Sequence, residues 1–88
     1  MDQESFIAQL QQQGFSDVST VTRAPGGYLD THTHPFEARA LILAGDIRIT
    51  CDGRETLYRP GEMFHLDHGE PHTESYGPEG VTYLVGRK

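Results

Sequence analysis

The spacing of hydrophobic residues changes once along the chain, after the N-terminal segment. In that segment Phe6, Ile7 and Leu10 fall on one face of a helical repeat and are surrounded by glutamines. Gly14 then provides the residue type that most often follows the end of a helix. The pattern predicts a short α-helix within residues 1–14.

Both ends of this helix carry a recognisable signal. Asp2 is a suitable N-cap residue because its side chain can accept a hydrogen bond from the first turn. If Gly14 adopts a left-handed conformation, Phe15 takes the position at which a Schellman motif packs its next side chain against the last turn, here Leu10. We expect the helix to lie over one end of the structure that follows.

From Val18 onward the hydrophobic period becomes two, and Gly, Pro and Asp interrupt the segments at the 8–12-residue spacing typical of sandwiches and barrels. The clearest hairpin is Ile47–Cys51 followed by Asp52-Gly53, a dipeptide suited to a type I′ turn. Further predicted strands are Met63–Leu66, His72–Tyr76 and Val81–Val85. The pattern predicts one all-β domain over residues 1–88, with its barrel from about 18 to 86.

Composition agrees with a single small domain and narrows its partners. The chain has 88 residues, enough for one domain and too few for two, and its ten glycines and five prolines favour turns over a helical bundle. A net charge of −6 without a Lys/Arg cluster argues against nucleic acid. The longest apolar run, Ala40–Ala44, has five residues, whereas a membrane helix needs about 20, so we predict no membrane partner.

Cysteine use points to a reducing compartment. Cys51 is the only cysteine, and the N-terminal residues lack the charged start and apolar core of a signal peptide, so we expect a cytoplasmic location. Cys51 shares strand parity with Ile47 and Ile49. It is therefore expected to be a small buried hydrophobic residue rather than a nucleophile.

Histidines provide the candidate chemistry. His32 and His34 are two residues apart, which places both imidazoles on one face of an extended strand. Imidazole binds Zn, Fe, Ni and Cu, and His72 is a candidate third ligand from another strand. The His-x-His pair alone also fits two surface histidines on an edge strand. His65 alternates with two apolar neighbours and is expected to be structural or exposed, and His68 lies in a predicted turn.

The segment from about Gly26 to Tyr76 resembles the cupin superfamily. Its first motif has Gly, five residues, His-x-His, three or four residues, Glu, six residues and Gly; its second has Gly and His separated by a fixed turn. The residues matching the first motif are Gly26, His32, His34 and Gly45. The residues matching the second motif are Gly61, Asp67-His68-Gly69 and His72.

This resemblance implies a cupin-type double-stranded β-helix, or jelly-roll barrel, that holds one divalent transition metal ion (Fe, Mn, Ni or Zn). The implied ligands are His32, His34 and His72. The sequence departs from the family where its usual glutamate ligand falls on Ala38, and Glu37 should face the opposite side of the strand. Three neutral ligands would leave the dication its full charge, which favours anionic, chelating substrates.

A carboxylate from elsewhere could still reach the metal. Glu74 shares strand parity with His72, and Asp30 shares it with His32, although solvated carboxylates at the barrel mouth fit as well. Tyr76, which replaces the asparagine of the family's second motif, could line the pocket and donate a hydrogen bond, or pack in the core. Glu74 and Tyr76 are the candidate catalytic residues.

The resemblance implies a metal-binding protein that acts on a small oxygen-rich or anionic molecule, as a dioxygenase, isomerase or lyase. The alternative is a non-catalytic module that binds or senses a small ligand. Fold alone does not choose between them, because one fold hosts many functions.

The outer face of one strand predicts self-association. Counting by twos assigns Ala38, Ala40 and Ile42 to the barrel interior and sends Leu41 and Leu43 outward. Two large aliphatic residues on a solvent face form part of an apolar patch, so we predict a homodimer unless the N-terminal helix covers them.

Overall fold

The computed structural model of the chain describes all 88 residues, Met1–Lys88. It contains one helix and six strands. Their bounds are α1 Gln3–Gln12, β1 Asp17–Arg23, β2 Tyr28–His32, β3 Ala38–Cys51, β4 Arg54–Tyr58, β5 Met63–Leu66 and β6 His72–Arg87. The prediction of an all-β domain with a short N-terminal helix is confirmed. The helix does not have the length and apolar character of a membrane-spanning segment.

Two long strands organise the sheet. All pairings are antiparallel: β6 lies between β1 and β3 and also pairs with β2, while β3 pairs with β4 and β5 as well. The segments His72–Tyr76 and Val81–Val85, predicted as separate strands, are the two halves of β6. The Gly-Pro-Glu-Gly segment between them has no paired residue in the sheet and accounts for the register shift between the two halves.

Gly45 of β3 and Gly80 of β6 lie against each other where the pairing of the two strands is irregular. Gly45 has φ +70° and Gly80 has φ +72°, and the register of β3 against β6 shifts beside Gly45. A Cβ atom on Gly45 would collide with the carbonyl group of Gly80, and one on Gly80 would collide with the carbonyl oxygen of Arg23. The close approach of β1, β6 and β3 therefore depends on the missing side chains.

The predicted hairpin and the strand after it are present. Asp52 and Gly53 both have positive φ, +56° and +76°, as a type I′ turn requires, and they join β3 to β4. The predicted bounds of β5 are confirmed, and this strand pairs with the first residues of β3.

The barrel interior holds the larger hydrophobic core. Alternation along β3 directs Ala38, Ala40 and Ile42 inward, as predicted. The ten buried core residues are Ala38, Ala40, Ile42, Ile47, Ile49, Phe64, Leu66, Val81, Tyr83 and Val85.

Both helix ends follow the sequence signals. The Asp2 side chain accepts a hydrogen bond from Ser5 N at 2.8 Å, which caps the first turn. Gly14 has φ +85°, and Phe15 N donates to Leu10 O at 2.8 Å, which is the 6→1 hydrogen bond of a Schellman motif.

The helix lies on the outer face of the sheet, so its predicted position over a barrel end is wrong. Phe6, Leu10 and Phe15 form a second core with Leu41 of β3 and Leu84 of β6, whose side chains alternate with those of the interior core. Leu41 is only 1% exposed. The exposed patch on which we based the homodimer is therefore covered by the chain itself, and the homodimer stays a prediction without that premise.

Candidate metal centre

Three histidine rings meet inside the barrel. His32, at the end of β2, is paired directly with His72, at the start of β6, and their ring centroids are 4.2 Å apart. His34 lies beyond the end of β2, and its ring centroid is 4.8 Å from that of His32 and 5.3 Å from that of His72. The structure thus brings together the three histidines that the motifs single out, although only His32 lies in β2.

The position of His34 depends on contacts outside the strand. Gly69 N donates a hydrogen bond to the carbonyl oxygen of His34 at 2.9 Å, which ties this segment to the turn before β6. Its ring stacks on Phe36 with centroids 4.9 Å apart and an interplanar angle of 21°. The neighbouring His68 is exposed and takes no part in the cluster.

Glu74 completes a group of four potential ligands. Its Oε2 lies 3.0 Å from Nε2 of His72 and 3.2 Å from Nε2 of His32. One ligand atom from each of these residues and from His34 lies within 4.8 Å of the others. Glu74 is only 6% exposed, so its carboxylate is out of bulk water. Ala38 lines the same small cavity as Glu74.

Backbone carbonyls determine which nitrogen of two rings faces the carboxylate. His32 Nδ1 donates to the carbonyl oxygen of Asp30 at 2.8 Å, and His72 Nδ1 donates to the carbonyl oxygen of Glu70 at 2.9 Å. A carbonyl oxygen only accepts, so each Nδ1 carries the hydrogen. The lone pair of each neutral ring is then on Nε2, beside Glu74.

The cluster fits a cation. With both rings neutral, the two Nε2 lone pairs and the carboxylate oxygen at 3.0–3.2 Å repel one another, and either a metal ion between them or a proton that His72 Nε2 donates to Glu74 relieves this repulsion. His32 Nε2 is buried, and its contact with Glu74 does not have hydrogen-bond geometry. Ligands bound to a transition metal at about 2.0–2.1 Å lie about 3.0–3.4 Å apart, so the distances from Glu74 Oε2 to the two nitrogens suit such an ion. Burial, followed by the nearby His32 and His72, lowers the pKa of His34, which favours the neutral, ligating ring.

Tyr76 holds the remaining carboxylate oxygen. Its hydroxyl donates to Oε1 of Glu74 at 3.0 Å. Burial, together with the charge of Glu74, raises the pKa of Tyr76, so the hydroxyl stays protonated and keeps donating. This contact turns Oε2 toward the histidines.

Of the two alternatives for Asp30, the structure shows the solvated carboxylate and not the inward-facing one. The register of β2 against β6 shifts between Leu29 and His32, so strand parity does not carry across Asp30. Its exposed side chain accepts instead from Thr31 N at 2.7 Å. The contribution of this residue to the site is its carbonyl, which no side-chain pattern in the sequence could indicate.

Glu70 is a further supporting residue that sequence reasoning missed. Its carbonyl orients His72, and its two carboxylate oxygens accept from Asp67 N at 3.0 Å and from the Cys51 thiol at 2.9 Å. The hydrogen bond to Glu70 raises the pKa of Cys51 to about 11, with burial as the second cause. Cys51 is therefore a poor nucleophile at neutral pH, as expected.

His65 lies outside the barrel, on the face opposite its apolar neighbours, as the alternation predicts. Its Nε2 is 2.6 Å from Oε2 of Glu37, and Asp67 is 3.6 Å away. Glu37 thus faces away from Ala38, as expected. These groups are partly or fully exposed and are separate from the interior cluster.

Comparison with known proteins identifies the family. The family model of the cupin domain, built from many related sequences, matches residues 19–84 of this chain. None of the curated proteins compared with the sequence matches it significantly.

Three solved structures with similar folds cover about four fifths of the chain. One, of unknown function, from Rhizobium leguminosarum bv. viciae 3841, is 26% identical with a TM-score of 0.75, covering 80% of this chain and 66% of its own. A DMSP lyase from Ruegeria pomeroyi DSS-3 is 26% identical with a TM-score of 0.73, covering 81% and 36%. A polyketide cyclase from Streptomyces resistomycificus is 27% identical with a TM-score of 0.67, covering 80% and 52%.

The chain therefore spans between about one third and two thirds of the length of these structures. They and the family match confirm the jelly-roll fold that the two motifs imply. The chain belongs to the cupin domain family.

Proposed function

We propose that His32, His34, His72 and Glu74 bind one divalent transition metal ion, Fe, Mn, Ni or Zn, and that the chain acts on a small anionic molecule at that ion. The observation that carries the proposal is the position of His32 Nε2 and His72 Nε2 beside one buried carboxylate oxygen of Glu74, an arrangement that a metal cation would stabilise. Nitrogen and oxygen donors together suit these metals.

A bound ion of this kind would act as a Lewis acid toward an oxygen of the substrate. The chain's own residues orient that chemistry: the carbonyls of Asp30 and Glu70 hold the rings of His32 and His72. Both oxygens of Glu74 are engaged, so we assign this residue to the metal rather than to proton transfer. Tyr76 is then a positioning residue for Glu74.

The similar structures favour catalysis among the candidate functions. Two of them are a lyase and a cyclase, although both are longer than this chain. We therefore place a lyase ahead of a dioxygenase or isomerase. Elemental analysis of protein purified without added metal, followed by turnover assays with small carboxylic acids, tests this order. Metal with ligand binding but no turnover would favour the non-catalytic module.

The Glu74→Gln variant tests the fourth ligand. Glutamine keeps the size of the side chain but removes the negative charge of a ligand, so we expect metal affinity to fall by at least the roughly 10- to 100-fold that loss of an outer-shell partner costs. Competition with a chelator measures this. Glu55→Gln, at an exposed residue of the β3–β4 hairpin, is the matched control and should leave the affinity unchanged. Equal affinities in both variants would remove Glu74 from the site.

Metal binding should weaken as the pH falls. Histidine ligands must be deprotonated, and an ordinary histidine titrates near about pH 6.5, so protons compete with the metal at and below that value. The lowered pKa of His34 means that this ligand is protonated later than an ordinary histidine as acid is added. Metal content after gel filtration at decreasing pH, with folding followed by circular dichroism, measures the release. Full retention at about pH 4 would contradict histidine ligation.

Ala38→Glu should tighten metal binding. Ala38 is 5% exposed on the inner face and lines the cavity beside the cluster, so a glutamate there would add a carboxylate to the site. Ala44→Glu places the same side chain at an exposed position of the same strand and serves as the control. Chelator competition should show higher affinity for the first variant only. An unchanged affinity would mean that the new carboxylate does not reach the ion.

We also propose a location in the reducing cytoplasm and assembly as a homodimer. The single free thiol of Cys51 needs no disulfide partner, which suits that compartment. A domain of this size buries only a limited share of its surface by itself, and pairing through two-fold symmetry would bury more, which supports the homodimer.

A further inference from the structure

One small cavity, which reaches the surface at the exposed residues Arg23 and Leu29, borders the metal cluster. It has a volume of about 70 Å³ and is lined by His34 and Glu74 of the cluster and by Ala38. A glutamate at position 38 would extend into this space, whereas alanine leaves it open. The cavity therefore offers room for a ligand beside the proposed ion.

Two arginines line the same cavity. Arg23 ends β1, and Arg87 ends β6. Each shares strand parity with an interior residue of its own strand, Val21 and Val85, so both guanidinium groups belong to the inner face. Arg87 Nη1 donates to Ser19 Oγ at 2.7 Å, and its guanidinium lies 5.6 Å from the centre of the Phe36 ring.

Neither arginine forms an ion pair with a carboxylate of the chain. Glu74 is the only acidic residue that lines the cavity, and its oxygens face His72, His32 and Tyr76. A dication held with one carboxylate keeps a positive charge, to which the two guanidinium groups add. A ligand in this space gains most if it is an anion.

The rest of the cavity wall indicates the chemistry of the uncharged part of that ligand. It is mainly apolar, with side chains that include Val21, Phe64, Leu66 and Val85. Its volume of about 70 Å³ is small for a ligand site. A short aliphatic chain suits this small space.

We propose that this cavity binds a small aliphatic carboxylate, with Arg23 and Arg87 holding the carboxylate group and the apolar wall holding its carbon chain next to Ala38. The inference rests on the proposed metal site and specifies the substrate class for it. Charge-assisted and bidentate contacts make arginine well suited to carboxylates.

The test is a titration of the zinc-loaded chain with propionate and with propionamide, followed by NMR chemical shifts. We expect propionate to bind at least about tenfold more tightly than propionamide, because the uncharged amide cannot accept charge-assisted hydrogen bonds from the arginines as a carboxylate does. Arg23→Met and Arg87→Met should each weaken propionate binding about tenfold. Arg54→Met, which lines a different cavity, should leave it unchanged.

Zinc content is measured separately for every variant, so that failure of the metal proposal is distinguishable from failure of the carboxylate subsite. Equal propionate affinity in the parent and the two arginine variants, equal affinity for the amide, or no propionate binding overturns the subsite. A chain that takes up no zinc overturns the metal proposal instead. The metal-free chain and its arginine variants are titrated in parallel. If their propionate affinities are also equal, the subsite is overturned.

Folding is checked for each variant by its NMR spectrum. If Arg87→Met does not fold because it loses the contact with Ser19, Arg23→Met at an exposed position and Arg87→Lys take its place. Lysine keeps the charge but lacks the planar fork, so it should weaken propionate binding less than methionine. If Arg87→Lys bound propionate as weakly as the zinc-loaded parent binds propionamide, the fork geometry and not the charge would hold the ligand. An unchanged propionate affinity would remove Arg87 from the subsite.

Discussion

Replacing His72 with alanine should lower metal affinity by more than the roughly 10- to 100-fold that loss of an outer-shell partner costs. The His72 side chain is fully buried, and its Nε2 lies 3.0 Å from Oε2 of Glu74. Its ring is held in the ligating orientation by the Glu70 carbonyl. The variant removes a ligand and also leaves the buried carboxylate with one fewer neutralising neighbour. Isothermal titration with zinc measures the loss.

His68→Ala and His65→Ala are the matched controls for this variant. His68 is exposed in the turn before β6, and His65 pairs with Glu37 outside the barrel. Both variants should bind the metal as the parent does. If His72→Ala kept full occupancy while either control lost its metal, the ligand assignment would be wrong.

Gly45→Ala should destabilise the fold by about 3 kcal/mol or more. An alanine at positive φ costs about 1–2 kcal/mol, and overpacking against a fixed neighbour adds about 1–3 kcal/mol. The neighbour here is the backbone of Gly80, which cannot rotate away as a flexible side chain can. Movement of residue 45 away from Gly80 would also disturb the pairing of β3 with β6. Urea unfolding gives the change in the free energy of unfolding.

Gly61→Ala separates the two costs. Gly61 has φ +86°, but a Cβ atom there would meet no atom within 4 Å. This variant should lose only the conformational part, about 1–2 kcal/mol. Equal losses for Gly45→Ala and Gly61→Ala would show that the close approach of β3 and β6 adapts without strain.

The carboxylate of the proposed metal site has a different origin from that in the family motif. The motif places it at position 38 on β3, but this chain has alanine there and places Glu74 on β6, two residues after His72. The carboxylate therefore approaches from the strand that already carries a ligand. The β3 wall is left free, and it is this free space that the two arginines border.

Local physics made several features predictable from the sequence. The Schellman end of the helix follows from Gly14 and Phe15, and the I′ hairpin follows from Asp52-Gly53, because only residues that tolerate positive φ adopt these turns at low cost. Side chains alternate along a strand, so the inward direction of Ala38 could also be predicted. The spacing of the two motifs was enough to single out the three histidines.

Contacts between distant segments decided the rest. Leu41 points outward as alternation predicts, but whether water or the N-terminal helix covers it depends on packing that no local pattern contains. The register shift in β2 separates Asp30 from the parity of His32, and a shift arises from the fit between two strands rather than from one. The meeting of Glu74 with His32 was likewise decided by tertiary structure, because strand parity places a side chain on a face but only the pairing of β2 with β6 brings the two faces to one point.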